Sequence, residues 1–208
     1  MTQAQEQQVL QEWKQSVENF VVSDIRGCLD RDILEVGLII LTLVGIDCLG
    51  GYFTGKQSEQ ETFREFISSK YFPLEYQNVA GELYVLRNGL VHDYTTKHNR
   101  FVFFRRSGEG DPQLQSFDTD QGQAVALNRE VLARDFLRAW ELFSDDVHTD
   151  QALAAKVIKR IKQAGRGFLI VRDFAPKLLV DMPLRDGDVQ QGGDSQTYSG
   201  GTVGWSGS

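Results

Sequence analysis

The chain predicts a mainly α fold: an antiparallel helical bundle with a small β-ribbon inserted and a disordered C-terminal tail. Three observations predict it. Apolar residues recur at spacings of three and four through most of the first 94 residues. One stretch, 100–106, switches to aromatic and β-branched residues bounded by turn signals. The last residues, 184–208, are Gly, Ser, Asp, Gln and Thr with almost nothing to bury. The expected organisation is a helical domain over 1–183 (bundle about 3–94, ribbon about 100–127, further helices about 129–163) and a tail over 184–208.

Residues 3–22 carry Val9, Leu10, Trp13, Val17, Phe20 and Val21 at helical spacing, with Gly27 or the residues just before it as the stop. Asp30 or Asp32 can cap a second helix over about 31–50, apolar nearly all round and so buried on most sides in the core or against a second subunit. Gly37 and Gly45 give it smooth patches, and Gly50, Gly51 and Gly55 are expected to break it. Ser58 followed by Glu61 reads as a capping box for a helix over 58–70. Pro73 opens the next helix, about 73–92.

After the polar loop at 95–99, residues 100–106 read as a strand that pairs antiparallel with a shorter one at 123–127. Ser107 to Pro112 is turn-rich. Asn128 is a good N-cap for a helix over about 129–144, followed by another over 150–163 with a basic outer face at Lys156, Lys159, Arg160 and Lys162. Phe168, Leu169, Ile170 and Val171 form a short strand or docking segment.

Composition is that of an ordinary soluble protein, 41% hydrophobic and 25% charged over 208 residues. A net charge of −7 excludes a globally basic nucleic-acid binder, though not a local basic patch. Cys28 and Cys48 are too few and too far apart for a disulfide framework or a zinc site. The first residues lack a basic-then-apolar leader, and the apolar run 36–46, bracketed by Glu35 and Asp47, is short against the about 20 residues a bilayer span needs. A cytoplasmic protein without membrane partners is expected. No H-E-x-x-H, G-x-x-x-x-G-K-[ST] or G-x-S-x-G motif occurs, which sets aside zinc, P-loop and serine-elbow chemistry, and no cofactor or metal is expected.

The chemistry concentrates in residues 83–94, where an Arg, an Asn, a His and a Tyr interrupt an apolar run. On a helix Asn88 and His92 share a face, Arg87 and Tyr94 align two turns apart, and Leu83, Leu86, Leu90 and Val91 take the core side. Gly89 costs about 1 kcal/mol of helix stability relative to Ala, which suggests close approach of another backbone. Asp47 is a partner for Arg87 or a cap where its own helix ends; the sequence leaves both open. His98 and His148 fall in polar loops and read as solvated.

Arg87-Asn88-Gly89-Leu90-Val91-His92-Asp93-Tyr94 resembles the R-x4-6-H signature of the HEPN superfamily of all-helical domains. It is most similar to the R-x4-H-x-Y form of HEPN toxins paired with minimal nucleotidyltransferase antitoxins. The resemblance is specific over these eight residues, and beyond them extends loosely over 1–165 as an order of helices. It implies a homodimer that brings two such segments together and cleaves RNA without metal. Carried over residue by residue, Arg87 is the phosphate clamp, His92 the acid/base, and Asn88 orients His92 or touches substrate. Tyr94 matches the tyrosine that accepts AMP groups from the partner enzyme, although an ordinary, partly buried tyrosine is the simpler reading. The residue types suit this chemistry: an imidazole, whose ordinary pKa is about 6.5, can move the proton of a ribose 2′-OH, and a guanidinium can offset transition-state charge.

RNA needs a positive path. Between Arg87 and Arg106 stand Arg87, Lys97, Arg100, Arg105 and Arg106 against the single acid Asp93, a local balance of +4. Phe101, Phe103 and Phe104 offer a stacking face for bases or, by the commoner outcome, core. The competing reading is a non-catalytic helical dimer that binds a protein or a nucleotide and keeps the motif as part of its interface.

Overall fold

The helix Glu35–Thr54 (α3) is the axis on which the other helices pack. In the computed structural model the described residues are 1–31, 35–96, 100–104, 113–120 and 122–164, and they belong to one compact unit spanning Met1–Ile170. Leu43, Ile46 and Leu49 of α3 are fully buried. Two of its glycines set helix spacing. A Cβ on Gly45 would lie 2.7 Å from the Phe136 ring, and one on Gly50 would lie 2.5 Å from the carbonyl oxygen of Thr62. The expected break at Gly50 and Gly51 therefore does not occur; packing outweighs their low helix propensity. Gly55, at φ +69°, ends the helix.

Before α3 come Gln3–Val17 (α1), a π-helical turn over Glu18–Val22, and Ser23–Arg31 (α2). Thr2 Oγ1 accepts the Gln5 N–H and Gln5 Oε1 accepts the Thr2 N–H, a complete capping box at the start of α1. The stop expected at Gly27 is absent: α2 runs through it, and no atom lies within 4 Å of where its Cβ would be. The Glu18 carboxylate accepts the Trp140 indole N–H at 2.6 Å and pairs with Arg26. Trp13 sits edge-on among Tyr52, Trp140 and Phe143.

After α3, Gln60–Ile67 (α4) starts two residues later than expected. Its N-cap is Glu59, whose N–H donates to Thr62 Oγ1, in place of Ser58. Pro73 leads into a 3₁₀ segment, Leu74–Val79, and then Ala80–His92 (α5). Beyond the sheet, Asn128 Oδ1 accepts the N–H groups of Glu130 and Val131 and caps Arg129–Thr149 (α6), which runs five residues past its expected end. Asp150 caps Gln151–Ala164 (α7) in the same way.

The sheet departs from the expected ribbon. Phe101–Phe104 (β1) pairs parallel with Gly122–Asn128 (β3), and Ser116–Thr119 (β2) pairs antiparallel with β3, giving the order β1-β3-β2. The tight turn joining β2 to β3 claims the antiparallel edge, and Gly122 at φ +112° permits it. β1 is left the other edge, and residues 105–121 are long enough for the crossover a parallel pair requires. Phe101 is buried, and Phe103 packs on the core. The fold is thus mainly helical with a small three-stranded sheet. Asp32, Lys97, His98, Arg105, Arg106, the turn at 107–112, the 168–171 segment and the 184–208 tail lie outside the described residues.

α3 has a second property. Val36–Thr54 is long and apolar enough to cross a membrane, unlike the shorter run 36–46 considered above, and 61% of it is buried inside the fold. Within this structure it is the core helix.

Candidate functional site

α5 carries the site. Leu83, Leu86 and Leu90 face the core as its spacing demands. Val91 does not: it is 39% exposed, on the same face as Arg87 one turn earlier. The carbonyl of Gly89 accepts two N–H groups, from Asp93 and from Thr95, and so closes the C-terminus of α5.

Arg87 is tied down at two points. Its Nη2 donates to Asp47 Oδ2 at 2.8 Å, and its Nη1 donates to Asn88 Oδ1 at 2.9 Å. The Arg87 side chain is 19% exposed and that of Asp47 9%. Burial pushes the Asp47 carboxyl up from its ordinary range, and the Arg87 charge opposes that rise. The two roles left open for Asp47 are thereby decided, since α3 continues to Thr54 and Asp47 faces Arg87. Asp47 Oδ1 and Arg87 Nε are both buried without a hydrogen-bond partner among the described residues. The Arg87 side chain keeps some exposure, and the Nη hydrogens not given to Asp47 and Asn88 can donate to a further anion.

The other predicted residues are placed as follows. Asn88 Oδ1 accepts from Arg87 Nη1 and so helps to orient the arginine, while its amide N–H₂ faces no constraint from that bond. His92 is exposed on the last turn of α5, on the Asn88 side. Tyr94 is 72% exposed, which overturns the partly buried reading. It lies beyond the helix at φ +54°, so the two-turn alignment with Arg87 does not form. Arg100 leaves the RNA path: its Nε and Nη2 both donate to the Glu82 carboxylate at 3.0 Å, and its Nη1 donates to Gln123. Glu82 stands just upstream of the window that gave the +4 balance. Lys97, Arg105 and Arg106 lie outside the described residues. His148 is exposed as expected, though on the last turn of α6 rather than in a loop.

One feature escaped the sequence reading. Ile40, Leu41, Val44 and Cys48 form a mostly buried apolar stripe along one side of α3 that stays partly open to solvent. Ile40 and Val44 share Asp47's side of the helix, so the stripe borders the Arg87 ion pair. The all-round apolar pattern signalled burial there but not which face stays open. Burial and the neighbouring Asp47 push the Cys48 thiol up to about 11, against a smaller opposing effect of Arg160, which disfavours the thiolate. Among the described residues no group of three or more His, Cys, Asp or Glu could hold a metal ion.

Comparison with protein-family models, with curated proteins and with solved structures finds no match to this chain, so its function is argued from the α5 geometry alone.

Proposed function

We propose that the chain is a HEPN-type, metal-independent endoribonuclease acting in the cytoplasm as a homodimer. The observation that carries this reading is the Arg87–Asp47 pair at 2.8 Å, which fixes a guanidinium five residues, about 1.4 helical turns, before the exposed imidazole of His92. The partly open stripe Ile40, Leu41, Val44 and Cys48 supports a second copy docking beside it, which would bring two such sites together.

In the reaction a ribose 2′-oxygen attacks the adjacent phosphorus and the 5′-oxygen of the next nucleotide departs. His92 takes the 2′-OH proton or supplies one to the leaving oxygen; with two copies present, the two imidazoles divide these tasks. Arg87 offsets the added negative charge on the phosphoryl oxygens. Cleavage leaves a 2′,3′-cyclic phosphate and a 5′-OH, and DNA of the same sequence stays intact. A role as a toxin or defence effector fits this activity. The exposure of Tyr94 leaves it open to adenylylation by a nucleotidyltransferase antitoxin, and the added bulk and charge would obstruct the groove.

The test is incubation of wild type and the Arg87→Ala/His92→Ala double variant with labelled single-stranded RNA in EDTA, with product ends read for cyclic phosphate. Cleavage by wild type alone supports the reading. A second reading, a non-catalytic dimer that binds a protein or a nucleotide, is favoured by the commitment of Arg87 to Asp47 and Asn88. No cleavage of several RNAs by a clean dimer, together with loss of the dimer in His92→Ala, would select it.

A further inference from the structure

The basic face of α7, unused by the α5 site, borders a cleft of ≈ 610 Å³ lined by Gly55, Lys56 and Gln57 of the turn after α3 and by Lys159, Arg160 and Gln163 of α7. No carboxylate lines it among the described residues. α7 itself has Lys156, Lys159, Arg160 and Lys162 and no Asp or Glu, in a chain whose net charge is −7. Such a concentration of one sign favours a bound anion.

Backbone geometry holds the cations in place. A Cβ on Gly55 would lie 3.1 Å from the Lys156 carbonyl oxygen, and Gly55 sits at φ +69°, so the turn hugs α7 only because this residue is glycine. Arg160 is half-buried, and its Nε is 3.1 Å from where a Cβ on Gly51 would sit, so the guanidinium rests against the α3 backbone. Its charge opposes the burial-driven rise at both Cys48 and Tyr52. Packing, not ion pairing, fixes Arg160: no hydrogen bond or ion pair to it occurs among the described residues. Lys56 meets Glu61 and Glu65 only at 3.9 and 3.8 Å, too far for hydrogen bonds.

We propose that this cleft binds a phosphate group. The Arg160 fork takes two phosphate oxygens, and Lys56 and Lys159 flank it as point charges. The amides of Gln57 and Gln163 line the same cleft and can donate to the remaining oxygen. The site uses none of the α5 residues and does not rest on the ribonuclease reading. The phosphate belongs either to an RNA backbone or to a small phosphate compound, and the two sources are separable.

The test titrates the full chain with inorganic phosphate by calorimetry and, in the Arg87→Ala/His92→Ala background so that the α5 site neither cleaves nor clamps RNA, with a fluorescent oligouridylate lacking terminal phosphates by anisotropy. Lys56→Gln/Lys159→Gln removes two exposed charges, Arg160→Lys keeps the charge but loses the fork, and Lys70→Gln, a lysine that does not line the cleft, is the control; thermal melts confirm that each folds. Saturable phosphate binding weakened about tenfold or more in the double variant, weakened also in Arg160→Lys and unchanged in Lys70→Gln, is expected. Oligouridylate binding that phosphate displaces assigns the site to RNA; phosphate binding without displacement assigns it to a small ligand. No saturable binding of either probe, or equal affinity in wild type and the double variant, overturns the proposal. The Arg87→Ala/His92→Ala protein must bind phosphate as wild type does, which keeps failure here separate from failure of the α5 reading.

Discussion

Arg87 reaches across from α5 to place its Nη2 2.8 Å from Asp47 Oδ2 on α3, joining two helices whose contributing residues lie 40 positions apart. Removing one partner from a buried pair leaves the other charge uncompensated. Asp47→Ala is expected to cost about 2 kcal/mol, below the fully buried value of about 3–5 kcal/mol because Arg87 retains some solvent. Urea denaturation checks this, and a loss under about 0.5 kcal/mol would show that the pair is not structural. Asp47→Asn/Arg87→Gln should recover part of the loss, since neither charge then remains buried.

Asp146 governs an opposite response to acid. Hydrogen bonds from Lys70 and Tyr71 hold its carboxyl below the ordinary 3.8. A lowered folded-state value stabilises the fold above the unfolded-state value, and that contribution is lost as pH falls through the lowered one. Burial has raised Asp47 instead, so the native state there takes up a proton first, and its contribution falls as pH rises through the raised value. Wild type should exceed Asp146→Asn in stability at pH 7 and lose that margin as pH drops below about 4. A margin that is flat from pH 3 to 7 contradicts the assignment.

Two glycine substitutions should move stability in opposite directions. Gly27→Ala fills open space within α2 and is expected to add about 0.5–1 kcal/mol. Gly50→Ala places a methyl 2.5 Å from backbone and should cost about 2 kcal/mol despite the same gain in helix propensity. Thermal melts of the two variants decide it; parallel shifts would mean that the α3–α4 approach is not tight.

Tyr94 adopts a left-handed backbone, which costs a residue with a Cβ about 1–2 kcal/mol. Tyr94→Gly should match or exceed wild type by about 0.5 kcal/mol, the strain relief being offset by the entropy of the unfolded glycine. Tyr94→Val, branched at Cβ, should fall about 1 kcal/mol below wild type. Equal stability of the Gly and Val variants would remove strain from the account.

Val44, in the partly open stripe on α3, tests the dimer. Val44→Glu is expected to leave the melting temperature within about 3 °C of wild type while abolishing dimerisation in light scattering, because a charge on an apolar contact face must be desolvated to pair. A dimer that survives places the interface elsewhere.

Local chemistry was legible in the sequence. The Asn128 cap, Pro73 at the entrance to the α5 segment, the extent of α7 and the buried leucines of α5 all follow from neighbours within a few residues. Contacts distant in sequence were not. Nothing local shows that Glu82 meets Arg100, because that depends on β1 returning past α5. Ser116–Thr119 is exposed throughout, so β2 carries no apolar alternation to find, and without β2 the parallel register of β1 could not be foreseen. Gly50 reads as a helix breaker until Thr62 is known to press against it.

The hydropathy of α3 bears on how the chain is made. Domains fold as the chain emerges, N-terminal parts first, and α4 to α7, which cover α3, are synthesised after it. For that interval the chain exposes a largely apolar segment of 19 residues, long enough to span a bilayer. Asp47 stands inside that segment, where an aspartate near the bilayer centre opposes insertion by about 3 kcal/mol. The carboxylate that grips Arg87 in the folded chain thus also makes this segment a poorer membrane span than its other residues alone would.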